Sequence, residues 1–335
     1  MGIAASEGEL AQLRARSPEE DAAGARASRP ALLRASLPED DALLVEFTPS
    51  GIRAYPKNGL LFYPSVPVPP EAPPGVYVEA EKDEFQRLDH GKAVAALAAL
   101  TRSPDAAIRA GAYLRIARNL RKAGQLDQAL RTYAELARYG DTFVGGLPAG
   151  LVARRARCAL LAQMNRRADL AKEAAELYSL LRQGHWQLSQ AAYEVHAEEV
   201  AAWLGAERNS EVGALALAAA VAWLWERRNQ EPSGSGRRCL VRQNRLVTLL
   251  WTSGREGLRA LVAGPLYLER RWLAAVSPLS KSLRVSIAVK EMNPAVRGPT
   301  ERPPSLTGLP WTVLVASTDV QAEICLLYTS DAADE

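Results

Sequence analysis

Tyr113 to Leu136 reads YLRIARNLRKAGQLDQALRTYAEL, and this stretch decides how the middle of the chain folds. Tyr113, Ile116, Ala117 and Leu120 follow the spacing of one helix face. Gly124 interrupts the pattern, and a second face resumes at Ala129, Tyr133 and Leu136. Ala117 and Ala129 are small where two helices of one unit must approach closely. Gly124 supplies the turn between them, because a residue without a Cβ takes the left-handed backbone at no steric cost. Tyr133 and Leu136 fill the space toward a following unit. An offset of 36 residues lays Ala93, Leu97 and Leu100 over Ala129, Tyr133 and Leu136, so the helix-turn-helix is repeated. A third unit over 151–181 keeps the rhythm through Met164-Asn165, and the first, over 79–101, departs from it at His90 and Gly91.

Working outward, Ser189 caps a further helix with Tyr193, Val200 and Trp203 on one face. Ser210 caps an alanine-rich helix through Trp223-Leu224-Trp225, which is apolar nearly all round and is expected to be buried between neighbours. The spacing therefore predicts a helical repeat domain over 76–230. EPSGSG then marks a linker at 231–237. Beyond it the period changes from 3.6 to 2. CLVRQ and RLVTLLWTS around a turn at Asn244 predict a hairpin, LRALVAGP a third strand, and LYLERRWLAAV (266–276) a short amphipathic helix. SLRVSIAVKE and PWTVLVAST, on either side of a Pro-Gly-rich loop at 293–308, predict two more strands. The region 238–324 is thus expected to be an α+β domain, a small antiparallel sheet with one helix against it. The fold class is mainly α with this C-terminal α+β domain. Upstream, 1–37 offers little apolar surface and is expected to be disordered or weakly helical. ALLVEFTPSG, IRAYPKNG and LLFYPSVP predict a short β meander, and PSVPVPPEAPP a polyproline spacer, together filling 38–75.

The chain has 335 residues, 41 basic and 38 acidic, a net charge of +3. Its arginines are scattered among acids and alanines, with no aromatic-interleaved basic stripe, so a nucleic-acid partner is not implied. The longest uncharged apolar run, Gly213 to Trp225, has 13 residues, too few to cross a bilayer as a helix. The last eleven residues, CLLYTSDAADE (325–335), resemble a translated sequencing-library adapter. On that expectation the parent continued beyond about Ile324. Without Asp331, Asp334 and Glu335 the charge becomes +6, and Cys158 and Cys239 are the only genuine cysteines, which supports no disulfide framework.

No phosphate loop, H-E-x-x-H, C-x-x-C or G-x-S-x-G occurs, so no catalytic residue, metal ligand or cofactor is assigned. His90, His185 and His196 do not share the i, i+4 spacing of a metal pair and read as satisfied surface or edge residues. Glu19-Glu20 and Glu198-Glu199 are adjacent, not on one face, and read as solvated. Trp251, Trp272 and Trp311 form a candidate small-molecule pocket between sheet and helix, with Tyr267, Arg270, Arg271 and Arg284 as polar partners. The competing reading makes these aromatics the sheet-helix core.

Two resemblances rest on these residues. Tyr113, Ile116, Ala117, Leu120, Gly124, Ala129, Tyr133 and Leu136 are similar to the tetratricopeptide-repeat pattern, good for one unit and fair for two more. LVAGPLYLERRWL, RVSIAVKE and SLTGLPWTVLVAS resemble the extracytoplasmic sensor region of certain bacterial sensor histidine kinases, in which a PAS- or Cache-like domain precedes a membrane helix. That resemblance spans about Leu43 to Ser317. It implies a non-catalytic input fragment of a two-component signal-transduction protein, periplasmic, with a parent that is membrane-anchored and homodimeric. The chain carries no H-E-x-x-x-P or ATP-binding box of its own. The alternative is a free-standing scaffold, cytoplasmic, with a peptide or protein partner in the repeat groove.

Overall fold

The structure is a computed structural model that describes residues 41–49, 51–57, 59–66, 70–205, 211–229, 234–254, 257–273, 285–291, 311–317 and 325–326. The expected disordered segment 1–37, the loop 293–308 and Arg284 lie outside the described residues. Helical hairpins and an antiparallel sheet are both present, in two units: Val66–Arg208, and the described residues on either side of it.

The first unit is a run of antiparallel helices: α1 (Val78–Phe85), α2 (His90–Ala98), α3 (Ala106–Lys122), α4 (Leu126–Ala137), α5 (Ala149–Gln163), α6 (Arg167–Arg182) and α7 (Gln190–Leu204). Each packs against the next in chain order, as stacked repeats do. The helices start and stop for local reasons. Asp105 caps α3 by accepting from the Ala107 amide at 2.7 Å, and Ser189 caps α7 by accepting from Ala192. At Leu88, Gly124, Asn165 and Gly184 the chain leaves a helix through a left-handed residue. In each case the amide that follows reaches back a full turn: Asp89 to Asp83, Gln125 to Leu120, Arg166 to Leu161 and His185 to Leu180, at 2.9–3.0 Å. Glycine and asparagine suit that backbone; Leu88 does not. Between α4 and α5 a two-strand hairpin, β3 (Phe143–Val144) and β4 (Leu147–Pro148), turns on Gly145-Gly146. The sequence did not announce this hairpin. Glu71 clamps the turn, accepting from Gly146 at 2.6 Å and from Gly145 at 3.1 Å.

The second unit is built on a five-stranded antiparallel sheet of β1 (Ala42–Thr48), β2 (Gly51–Tyr55), β5 (Ser235–Arg242), β6 (Arg245–Gly254) and β7 (Gly257–Ala263), in the order β2-β1-β7-β6-β5. The N-terminal run expected as a separate meander therefore supplies two strands of a larger sheet, with Ala42 opposite Ala263 and Phe47 opposite Leu258. The described part of its third run, residues 60–66, forms no strand: Leu60, Leu61, Phe62 and Tyr63 are buried in irregular chain flanked by Pro56 and Pro64, which carry no amide donor. Central strands β1, β7 and β6 are buried on both faces, which explains their nearly unbroken apolar sequences.

The helix covering this sheet is not the expected one. The alanine-rich helix α8 (Val212–Arg227) packs on β1, β5, β6 and β7 and sets Trp225 edge-on to Phe47 at 5.3 Å. It belongs to the sheet unit, although its sequence placed it in the repeat domain. A helix that is apolar nearly all round announces burial without saying against what. The chain predicted as the sheet's helix is a short segment, Pro265–Tyr267 continuing as a π-helix to Leu273. β8 (Val285–Glu291) and β9 (Trp311–Ser317) pair with each other and with β10 (Cys325–Leu326), in a sheet of their own.

Candidate functional site

The residues singled out for repeat packing come together. Ala117, Ala129 and Leu136 have no exposed surface, and Tyr133 retains 5%. Tyr113 packs half-buried beside Tyr139, ring centroids 5.8 Å apart. Gly124 sits at φ +75°, where its freedom is used. Consecutive units are also tied by charge. Glu81 of α1 accepts from Arg115 of α3 at 2.8 Å, and Glu84 accepts from Arg118 at 2.6 Å, each pair spanning 34 residues.

Glu84 is 1% exposed and also accepts from Lys122 at 2.8 Å and from the Asn119 side chain at 3.0 Å. Because Asn119 donates through its amide nitrogen, its oxygen is left to accept, and the His90 Nδ1 at 3.0 Å carries the proton. Burial pushes the Glu84 pKa up, but the hydrogen bonds of Arg118 and Lys122, with the charge of Arg118, outweigh it, and the carboxyl ends below its usual value. His196, in α7, is 6% exposed with its Nδ1 buried and unbonded. Burial, seconded by Arg155, holds that imidazole toward its neutral form.

Of the candidate pocket residues, the structure describes the side chains of Trp251, Tyr267, Arg270 and Arg271. Trp251 lies opposite Gly236 and Ala260, on the same sheet face as Phe47 and therefore on the side of α8. Its ring fills the space that a side chain on Gly236 would need. Tyr267 is buried in the short helical segment, and Arg270 and Arg271 on the same segment are exposed. Trp272 falls in the π-helix and Trp311 opens β9, but their side chains lie outside the described residues. Among the described residues no group of three or more His, Cys, Asp or Glu could hold a metal ion.

A groove that the sequence did not single out lies within the helical unit, between α4, α5 and α6, with a volume of about 510 Å³. Leu130, Ala134 and Leu161 form its apolar floor. Four acids line it, and each already has an arginine. Glu173 takes Arg157 at 2.9 Å and Arg154 at 3.2 Å, and Glu176 takes Arg154 at 2.7 Å. Asp169 takes Arg166 at 2.7 Å, and Asp127 takes the same Arg166 at 3.4 Å. Arg131 and Lys172 line the groove as well, and among the described residues neither is in an ion pair. The four acids thus share three arginines, Arg154, Arg157 and Arg166, and Arg131 and Lys172 are two further cations outside those pairs. The sequence signal was present in Arg131 and Lys172 themselves, but a charge on an exposed helix reads as a solvated face until the neighbouring helix is placed.

Searches against protein-family models, curated proteins and solved structures returned no match to this chain.

Proposed function

We propose that the helical unit is a docking module for a protein partner, and that the α4–α6 groove receives a peptide segment bearing a carboxylate. One observation carries this reading: every acid in the groove is paired, while Arg131 and Lys172 face it without a partner among the described residues. An incoming Asp or Glu would meet two cations above an apolar floor, a combination that gives affinity from burial and specificity from charge. Stacked helical hairpins suit this role because each unit contacts only its neighbours and leaves a continuous surface for partners. The test is selection from a random twelve-residue peptide library displayed against the full chain. Enriched peptides should carry Asp or Glu, and R131E/K172E should weaken them at least about tenfold. An enriched set without acids, or one that binds the double variant equally well, overturns the assignment.

A second reading, input to a sensor kinase, draws support from the other unit. An antiparallel sheet whose first hairpin lies beside its last strand, with one helix on a face, is the layout a PAS-like domain requires. In that case docking on the array and the state of the sheet domain would be coupled only through differential affinity for two arrangements. Among the described residues no helix is long and apolar enough to cross a membrane. Source DNA downstream of codon 324 tests this reading: it requires about 20 consecutive apolar codons followed by an H-E-x-x-x-P motif.

A further inference from the structure

The chain from Pro70 to Tyr77 lies along the helical unit as a strap, and its two ends are held by different means. Tyr77, just before α1, is buried. Its hydroxyl donates to the Ile108 carbonyl at 2.9 Å, and the Arg115 guanidinium lies 3.8 Å from its ring centroid. The tip of the ring fills the space that a side chain on Gly111 would need. At the other end Glu71 is exposed, and its carboxylate oxygens accept from the amides of Gly145 and Gly146. Between the two ends Ala72 and Val76 pack half-buried on the helical core, while Pro73 and Gly75 face water.

The Glu71 end has the chemistry of a bound ligand. Gly145 and Gly146 are both left-handed, with open space beside each Cα, and consecutive amides in such a turn form a concavity that takes an anion. Each carboxylate oxygen receives one of the two amides. Pro70, Pro73 and Pro74 bring no amide donors and favour extended chain, so the segment can lie on a surface at little cost in ordering. Hydrogen bonds that water can reach contribute little net stability. Glu71 keeps its place because Tyr77, anchored in the core, tethers it nearby and raises its effective concentration. A contact held in this way yields to a competitor that brings the same group together with contacts of its own.

We infer that the Gly145-Gly146 turn and the apolar surface under Ala72 form a docking site for an extended, proline-flanked acidic segment of a partner protein, and that residues 70–76 are its built-in competitor. The partner's carboxylate takes the two glycine amides, a small apolar residue after it replaces Ala72, and prolines on either side hold the segment straight. The cis occupant thus sets the threshold that a partner has to exceed. This site shares no residue with the α4–α6 groove.

The probe is fluorescein-labelled Pro-Pro-Glu-Ala-Pro-Pro-Gly-Val, a copy of residues 69–76, titrated with the full chain and followed by anisotropy. In E71K the built-in carboxylate is gone, so the probe should bind saturably and at least about tenfold tighter than to the unaltered chain. The same peptide with Gln in place of Glu should bind neither chain. Equal binding to both chains, no binding to E71K, or undiminished binding of the Gln peptide would each overturn the inference. So would loss of binding when R131E/K172E is added to E71K, because the probe would then be reporting the groove. A second measurement needs no variant. Excess unlabelled peptide added to the unaltered chain should speed hydrogen exchange at the Val76 amide, which bonds the Pro73 carbonyl within the strap, and leave Gly145 and Gly146 protected. Unchanged exchange at Val76 would show that the strap is not displaced and would also overturn the inference.

Discussion

The helical unit and the sheet unit hold themselves together over different distances along the chain. Every helix from α1 to α7 packs on its sequence neighbour, and the Arg115–Glu81 and Arg118–Glu84 pairs each span 34 residues. In the sheet, β1 pairs with β7, and Asp41 bonds Arg245 across 204 residues at 3.1 Å. A lesion in the helical array removes one interface among several, so its cost should stay local. A lesion in the sheet removes a pairing on which the other strands depend, so its cost should spread through that unit. Local contacts make stability additive, and distant ones make it all-or-none.

The strongest way to break this contrast is Val45→Asp. Val45 is fully buried at the sheet centre, and a carboxylate there has no partner, a defect of about 3–5 kcal/mol or more. The sheet unit should unfold while the array persists. The two thiols report the units separately. Burial pushes the Cys158 thiol in α5 up to about 12 and the Cys239 thiol in β5 up to about 11, so both resist alkylation near pH 8 while folded. In Val45→Asp, Cys239 should label rapidly and Cys158 slowly; equal labelling would show that the units fold as one.

Gly236→Val comes next. Its side chain must displace the Trp251 ring, an overpacking cost of about 1–3 kcal/mol, seen as a lower urea midpoint and a red-shifted tryptophan emission. An unchanged spectrum would mean that Trp251 has room, as a pocket residue would.

Glu84→Gln should cost the array about 1–3 kcal/mol, because Arg118 and Lys122 lose their carboxylate while the buried Asn119 keeps only part of its bonding. The pH dependence has a definite sign. A carboxyl held below its ordinary 4.5 contributes stability that is complete above that value and is lost as pH falls through the folded pKa. The array's melting temperature should therefore drop on acidification below about pH 4.5, and Glu84→Gln should flatten that slope. A parallel pair of curves would remove Glu84 from the account.

The smallest effect expected is a gain. Leu88 holds φ at +57° where helix ends usually place glycine. Leu88→Gly should stabilise the array by about 0.5–1 kcal/mol, the relief of side-chain strain less the entropy of a freer unfolded chain. Calorimetry resolves this, and a loss of stability would mean that the 69%-exposed Leu88 side chain contributes more than its backbone costs.

What the residues disclosed in advance follows the same division. The α3–α4 hairpin was legible because its periodicity, its glycine and its small residues lie within one short window. The β5–β6 hairpin was legible too, from period-two alternation around Asn244. The union of β1 with β7 was not, since nothing in ALLVEFT specifies a partner that far along the chain. The same holds for α8, whose uniform apolarity fits a helical neighbour or a sheet equally well. Trp251 reads as pocket or core in the sequence, and only the structure sets Gly236 across from it with the ring filling the space between. The groove had no signature at all, because its meaning lies in which charges are already satisfied, and pairing is a property of neighbours in space.

The β1–β7 pairing also sets a timetable. A ribosome adds about 5–20 residues per second, so β1 emerges roughly 10–45 s before the strand it pairs with. During that interval the helical array, complete in sequence and local in its contacts, can fold on its own. The β1–β2 hairpin, with its apolar side chains and open strand edge, has to wait. For this chain the period of greatest exposure to aggregation falls during synthesis, and it is the first strand made that bears it.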